Sequence, residues 1–127
     1  MIAVDTSALL EILLHRPQFE ACITALSEHN DVLISAGTLT EAYIVAGQRG
    51  LTVNLISLMD RLGLQVVPVT EATAERIGRI YSAWGKGVHP ASLNFGDCFA
   101  YDVASQNSCP LLFVGNDFSR TDIQSLL

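Results

Sequence analysis

Four acidic residues stand where apolar runs end or helical patterns begin: Asp5, Glu41, Asp97 and Asp117. Asp5 closes the run Met1-Ile2-Ala3-Val4, and Asp117 follows Leu111-Leu112-Phe113-Val114. Glu41 and Asp97 fall in the first turns of two helical patterns. In an open parallel sheet, such positions converge on the crevice at the carboxyl ends of the strands. Carboxylates crowded there repel one another. A hard divalent cation relieves the repulsion, because Mg²⁺ and Mn²⁺ prefer carboxylate and water oxygens. The pattern points to a metal-dependent enzyme acting on phosphate.

Each acid also has an ordinary structural explanation. Asp5 is a favoured helix N-cap. Thr38-Leu39-Thr40-Glu41 fits a capping box, with Glu41 reaching back to the Thr38 amide. Asn94-Phe95-Gly96-Asp97 is a similar arrangement, and Asp117 sits in the turn-like Gly115-Asn116-Asp117. A common pocket, however, accounts for all four at once. Ser7, two residues after Asp5, either serves that pocket or satisfies backbone amides at a helix start. Asp122 either caps a final helix or forms an outer part of the acidic site. Asp102 lies five residues after Asp97, about 140° around a helix, and is expected to face away into solvent.

The elements that must position these groups follow from the apolar pattern. Ile2–Val4, Val32–Ser35, Gln65–Val67 and Leu112–Val114 read as strands covered on both faces, being near-continuous rather than alternating. Six helical patterns separate or follow them, the last from Asn94 to about Gln106. Strands alternating with helices imply an α/β fold with right-handed crossovers. The segment Gly85-Lys86-Gly87-Val88-His89-Pro90 breaks the fifth helix.

The chain has 127 residues, which fits one domain spanning 1–127, and half of them are hydrophobic. Only 16% are charged, so apolar surface is left for a second copy to cover, and a homodimer is expected. The formal net charge of −6 and the absence of a basic run argue against broad electrostatic binding of nucleic acid. Metal ions in the acidic site would make phosphate welcome there. Cys22, Cys98 and Cys109 have no paired spacing and read as buried free thiols. His15, His29 and His89 have no metal-ligand spacing. Asp5 and Glu11 interrupt the first apolar stretch, no basic segment precedes it, and no apolar run approaches membrane-spanning length. A cytoplasmic protein without membrane association is expected.

The residues then resemble a known family. Asp5-Thr6-Ser7-Ala8-Leu9-Leu10 looks like the opening of a PIN domain, and Thr38-Leu39-Thr40-Glu41-Ala42 resembles its second acidic motif. Asn94 to Tyr101 and Leu111 to Phe118 look like the third and fourth, and Arg120-Thr121-Asp122-Ile123 also fits. This is the pattern of VapC-type toxins of prokaryotic toxin–antitoxin pairs, and it covers nearly the whole chain. The resemblance implies a three-layer α/β/α PIN-like fold with a central parallel sheet of four or five strands. It implies a Mg²⁺-dependent endoribonuclease, with Mn²⁺ as substitute ion. Asp5, Glu41, Asp97 and Asp117 would be its catalytic and metal-binding residues, with Ser7 and Asp122 auxiliary. RNA would be the substrate and a cognate antitoxin the partner. Asp102 departs from the pattern, since similar sequences more often carry a small apolar residue there.

Two other classes compete. A receiver-like phospho-acceptor domain also has an acidic pocket at strand ends, but needs a late-strand Lys, and the sole Lys is Lys86. A catalytically silent protein-binding module would need none of the four acids. An Asp-x-Asp phosphatase is weakened by Ser7 in place of the second Asp.

Overall fold

A computed structural model describes residues 1–127. Its order is β1 (Ile2–Val4), α1 (Thr6–Leu13), α2 (Phe19–Ser27), β2 (Val32–Ser35), α3 (Ala36–Gln48), α4 (Thr52–Leu62), β3 (Gln65–Val67), α5 (Glu71–Trp84), α6 (Phe95–Gln106) and β4 (Leu111–Leu112). The four strands form one parallel sheet in the order β3-β2-β1-β4. A receiver-like domain would run 2-1-3-4-5, so this order sets that reading aside.

β1, β2 and β4 are buried on both sides, and their successive side chains feed two cores. β3, at the sheet edge, is largely exposed and is not covered on both faces as its apolar run suggests. Ile2, Val4, Val32, Ile34 and Leu112 pack with residues of α1 to α4. Ala3, Leu33 and Leu111 pack with residues of α5 and α6. This period of two is the strand geometry itself. It produces the three layers expected from the resemblance, with four strands in the middle one.

β4 is shorter than the apolar run suggests and begins one residue earlier, at Leu111 rather than Leu112. Leu111 and Leu112 pair with Ala3 and Val4 of β1, whereas Phe113 has already left the ladder for the core under α6.

The order places a topological switch point between β1 and β4. From β1 the chain steps to β2 and β3 on one side, then returns past β1 to add β4 on the other. Crossover helices leave in opposite senses from such a point, so a crevice opens at the carboxyl ends of the two strands. Asp5 is the residue after β1, and Val114 to Asp117 lead away from β4.

Candidate metal centre

Asp5 is both a helix cap and a crevice carboxylate. It is the N-cap of α1 with extended backbone, and its Oδ2 accepts from the Ser7 N–H at 3.1 Å and from the Ser7 hydroxyl at 2.7 Å. The Ser7 hydroxyl in turn accepts from the Val114 N–H at 3.0 Å. Ser7 therefore ties the end of β1 to the end of β4 and holds the Asp5 carboxylate between them. Asp5 is 5% exposed, and burial raises its pKa, with the Glu41 charge adding to the effect and the Ser7 bonds opposing it.

Asp97 sits at the third position of α6 in a complete capping box. The Asn94 side chain accepts from the Asp97 N–H at 2.9 Å, and the Asp97 carboxylate accepts from the Asn94 N–H at 3.0 Å. One oxygen is thus spent on capping, which fixes the direction of the other. Burial first, and then the charges of Asp117, Asp5 and Glu41, push this carboxyl up to about 6 despite that amide. Acids from four separate stretches of chain thus act on one another.

Glu41 is brought in by glycine. A Cβ on Gly96 would stand 2.6 Å from Glu41 Oε2, closer than atoms can approach, so the carboxylate lies against the bare first turn of α6. Glu41 does not cap its own helix. β2 runs straight into α3, and Ser35 is the N-cap, accepting from the Gly37 N–H at 3.2 Å. Thr38 is thereby already inside the helix, and Glu41, past the first turn, is left half-buried and turned to the crevice. Asp117 is exposed, beyond Gly115, whose φ of 101° suits glycine and lets the chain turn sharply after Val114.

No three acidic, imidazole or thiol groups are drawn together tightly enough to form a finished ion cage. The other three carboxylates are near enough for their charges to act on Asp97 without the four being drawn into a coordination shell. The donor set is all hard oxygen, which fits Mg²⁺ or Mn²⁺ and not a thiolate-seeking ion.

Two acids behave otherwise than the sequence suggests. Asp102 is not solvated; it is 4% exposed and receives Arg76 through both oxygens, Nε to Oδ1 at 2.6 Å and Nη2 to Oδ2 at 3.0 Å. Arg76 therefore pairs across to α6 rather than along its own helix with Glu75. Asp122 caps no helix, because the segment after β4 forms none. It accepts from the Tyr101 hydroxyl at 2.6 Å, which with burial pushes that phenol up to about 12, and it is not among the charges that raise Asp97. The three cysteines are buried and free. No helix is long and apolar enough to cross a membrane.

What sequence reasoning missed is the part played by Gly96 and Gly37. Both let the first turns of α3 and α6 approach: Gly96 admits the Glu41 carboxylate, and Gly37 admits the Phe99 ring, 2.4 Å from where a Cβ would be. The only local signal was a glycine near a helix start, where nothing in the local pattern asks for one.

Comparisons with known proteins agree with this fold. The PIN domain family model matches residues 2–124. Ribonuclease VapC36 of Mycobacterium tuberculosis is 38% identical over 125 residues, covering 95% of this chain and 90% of its own length. Among solved structures, Mycobacterium tuberculosis VapC20, described as a sarcin-ricin loop cleaving toxin, superposes with a TM-score of 0.78 at 16% identity, over 97% of this chain and 96% of that one. A chain of a toxin–antitoxin complex from Klebsiella pneumoniae gives 0.72 at 17% identity, over 96% and 93%.

Proposed function

The chain belongs to the PIN-domain family, in its VapC branch, and on that premise we propose that it is a metal-dependent endoribonuclease and the toxin of a toxin–antitoxin pair. The observation that carries this is the mutual electrostatic pressure of Asp5, Glu41, Asp97 and Asp117 at the switch-point crevice. Mg²⁺, or Mn²⁺ in its place, would supply Lewis-acid polarisation of a phosphoryl oxygen and activation of water there. Asp5 and Asp97 are assigned as principal ligands, with Glu41 and Asp117 completing the set directly or through water.

The chain's own residues prepare that site. Ser7 fixes the Asp5 carboxylate by a 2.7 Å hydrogen bond, so little side-chain freedom is lost when a ligand is held. The Asn94 amide fixes Asp97 in the same way. Gly96 clears the space that Glu41 enters. Asp122 and its Tyr101 bond anchor the final segment against α6 rather than joining the ligand set.

The partners follow from surfaces. A groove of about 360 Å³, lined by Ile12, Leu13, Phe19, Ile23, Leu58 and Leu62, runs between α1, α2 and α4. It lies away from the acids. Its shape and apolar lining suit a helical segment of a cognate antitoxin. Ile44 on α3 and Val53 and Ile56 on α4 are exposed, which supports a homodimer.

RNA cleavage by wild type and Asp97→Asn, in Mg²⁺, Mn²⁺ or EDTA, tests the reading. Metal-dependent cleavage that vanishes in the variant is the expected result. A folded wild type that neither cleaves RNA nor takes up divalent metal would leave the binding-module reading in its place.

A further inference from the structure

Beside the acids lies a second, apolar cleft that the metal chemistry does not use. It measures about 320 Å³, at the small end of small-molecule sites, and is lined by Ala36, Gly37, Thr40, Val69, Phe95 and Phe99. Its walls are the opening turns of the helices that carry the acids. Thr40 precedes Glu41 on α3, and Phe95 stands two residues before Asp97 on α6. Between Phe95 and Asp97 is Gly96, against which the Glu41 carboxylate rests. The cleft and the carboxylate crevice thus share the first turn of α6, although no acid lines the cleft itself.

Phe95 has no packing reason to be there. It is 69% exposed, at the first position of α6, where a polar residue would serve the helix as well. Its ring is nevertheless held. Phe99 meets it at a centroid distance of 5.1 Å and an interplanar angle of 89°, edge against face. Phe99 is itself seated in α3 where Gly37 leaves room, since any Cβ at 37 would strike its ring. A glycine on one helix thus makes room for a half-buried phenylalanine, and that phenylalanine braces an exposed one.

Resting on the ribonuclease reading, we infer that Phe95, supported by Phe99, is a stacking platform for one unpaired nucleobase of the RNA, next to the phosphate held at the acids. The charge of the chain argues for this occupant. At a net charge of −6 and without a basic run, the protein gains little from general attraction to a polyanion. Stacking needs no charge, and single-stranded RNA offers splayed bases to aromatic side chains. Phe95 is accordingly a positioning residue: it holds the base, while the acids hold the phosphate.

The experiment measures binding of a labelled, mixed-sequence single-stranded RNA pool by fluorescence anisotropy, with Ca²⁺ in place of Mg²⁺ to slow turnover. The same strand made abasic is the control. Phe95→Ala is expected to weaken binding by about 5- to 150-fold, the equivalent of the ~1–3 kcal/mol typical of one stacked base. Phe95→Trp should restore it, Phe95→Leu should not, and the abasic strand should bind all four proteins alike. Because the side chain is exposed, thermal melting should not change.

Equal RNA binding and cleavage by wild type and Phe95→Ala would overturn the inference while leaving the ribonuclease intact. So would rescue by Phe95→Leu, which would mean simple apolar contact. A variant with normal RNA binding but lost self-association would give the cleft to a second copy. A wild type inert toward RNA in every metal would instead bring down the ribonuclease reading, on which this one stands.

Discussion

Asp97 and Asp102 lie five residues apart on α6, at 8% and 4% exposure, and the fold treats them in opposite ways. Asp102 receives a two-pronged guanidinium from Arg76, so its burial is matched by an opposite charge within hydrogen-bonding distance. Asp97 receives one backbone amide and faces three other carboxylates. A buried charge that serves the fold is neutralised by the fold. One left among like charges awaits a cation from outside, and folding alone gives no reason to keep it that way.

Several substitutions would break or sharpen that contrast. The largest effect belongs to Asp97→Asn, which removes a ligand and one of the four repelling charges. Cleavage should fall by more than about a hundredfold, beyond what loss of an outer support to a metal ligand costs, while thermal melting stays level or rises. RNA cleavage assays with calorimetry on the same protein check both halves. A melting point that dropped as steeply as activity would make Asp97 structural.

Asp102→Asn should do the reverse. It leaves Arg76 without its carboxylate, and the folded state should lose about 1–3 kcal/mol, the cost of stranding a hydrogen-bonded charged group that is partly open to solvent. Urea denaturation would read this loss. Metal-dependent cleavage by the folded fraction should remain near wild type, and a large drop there would place Asp102 in the site.

Gly96→Ala is subtler. Its Cβ displaces the end of a flexible Glu41 side chain rather than backbone, so the fold accommodates it. Cleavage should fall about tenfold, in the range seen when groups that orient a metal site are moved. Unchanged kinetics with a shifted Glu41 would remove Glu41 from the ligand set.

The smallest effect is on pH dependence. Folded Asp97 titrates near 6, above its ordinary 3.8. Between those values the folded chain holds more protons than the unfolded one, so stability falls as pH rises through the window. In EDTA, melting should be higher near pH 5 than near pH 7. Added Mg²⁺ should flatten that slope, because it binds the ionised form. The slope should persist in Asp102→Asn and shrink in Asp97→Asn, where Asp5, raised in the same direction, retains part of it.

Much of this molecule is legible in its sequence because the signals are local. Three of the four strands fall where apolar runs place them, and Asn94 and Asp97 form their capping box from a spacing of three. Asp102 is misread because rotating it 140° from Asp97 moves it off the acid face but not into water. Seven of the twelve residues of α6 are buried, and its far side packs on α5. The Thr38–Glu41 pattern misleads because Ser35 offers an earlier cap at the end of β2. Asp122 depends on a hydroxyl 21 residues away, and Gly37 on a ring of another helix. Contacts between distant segments carry no local signature.

The Ser7 hydroxyl joins Asp5 to Val114 across 107 residues of sequence. A ribosome delivers Asp5 and Ser7 long before Val114 and Asp117. β4 has β1 as its only strand neighbour in the sheet, so until the last stretch emerges the first carboxylate has neither its brace nor its distal companion. The brace on the first carboxylate is thus completed only in a chain whose last strand has formed.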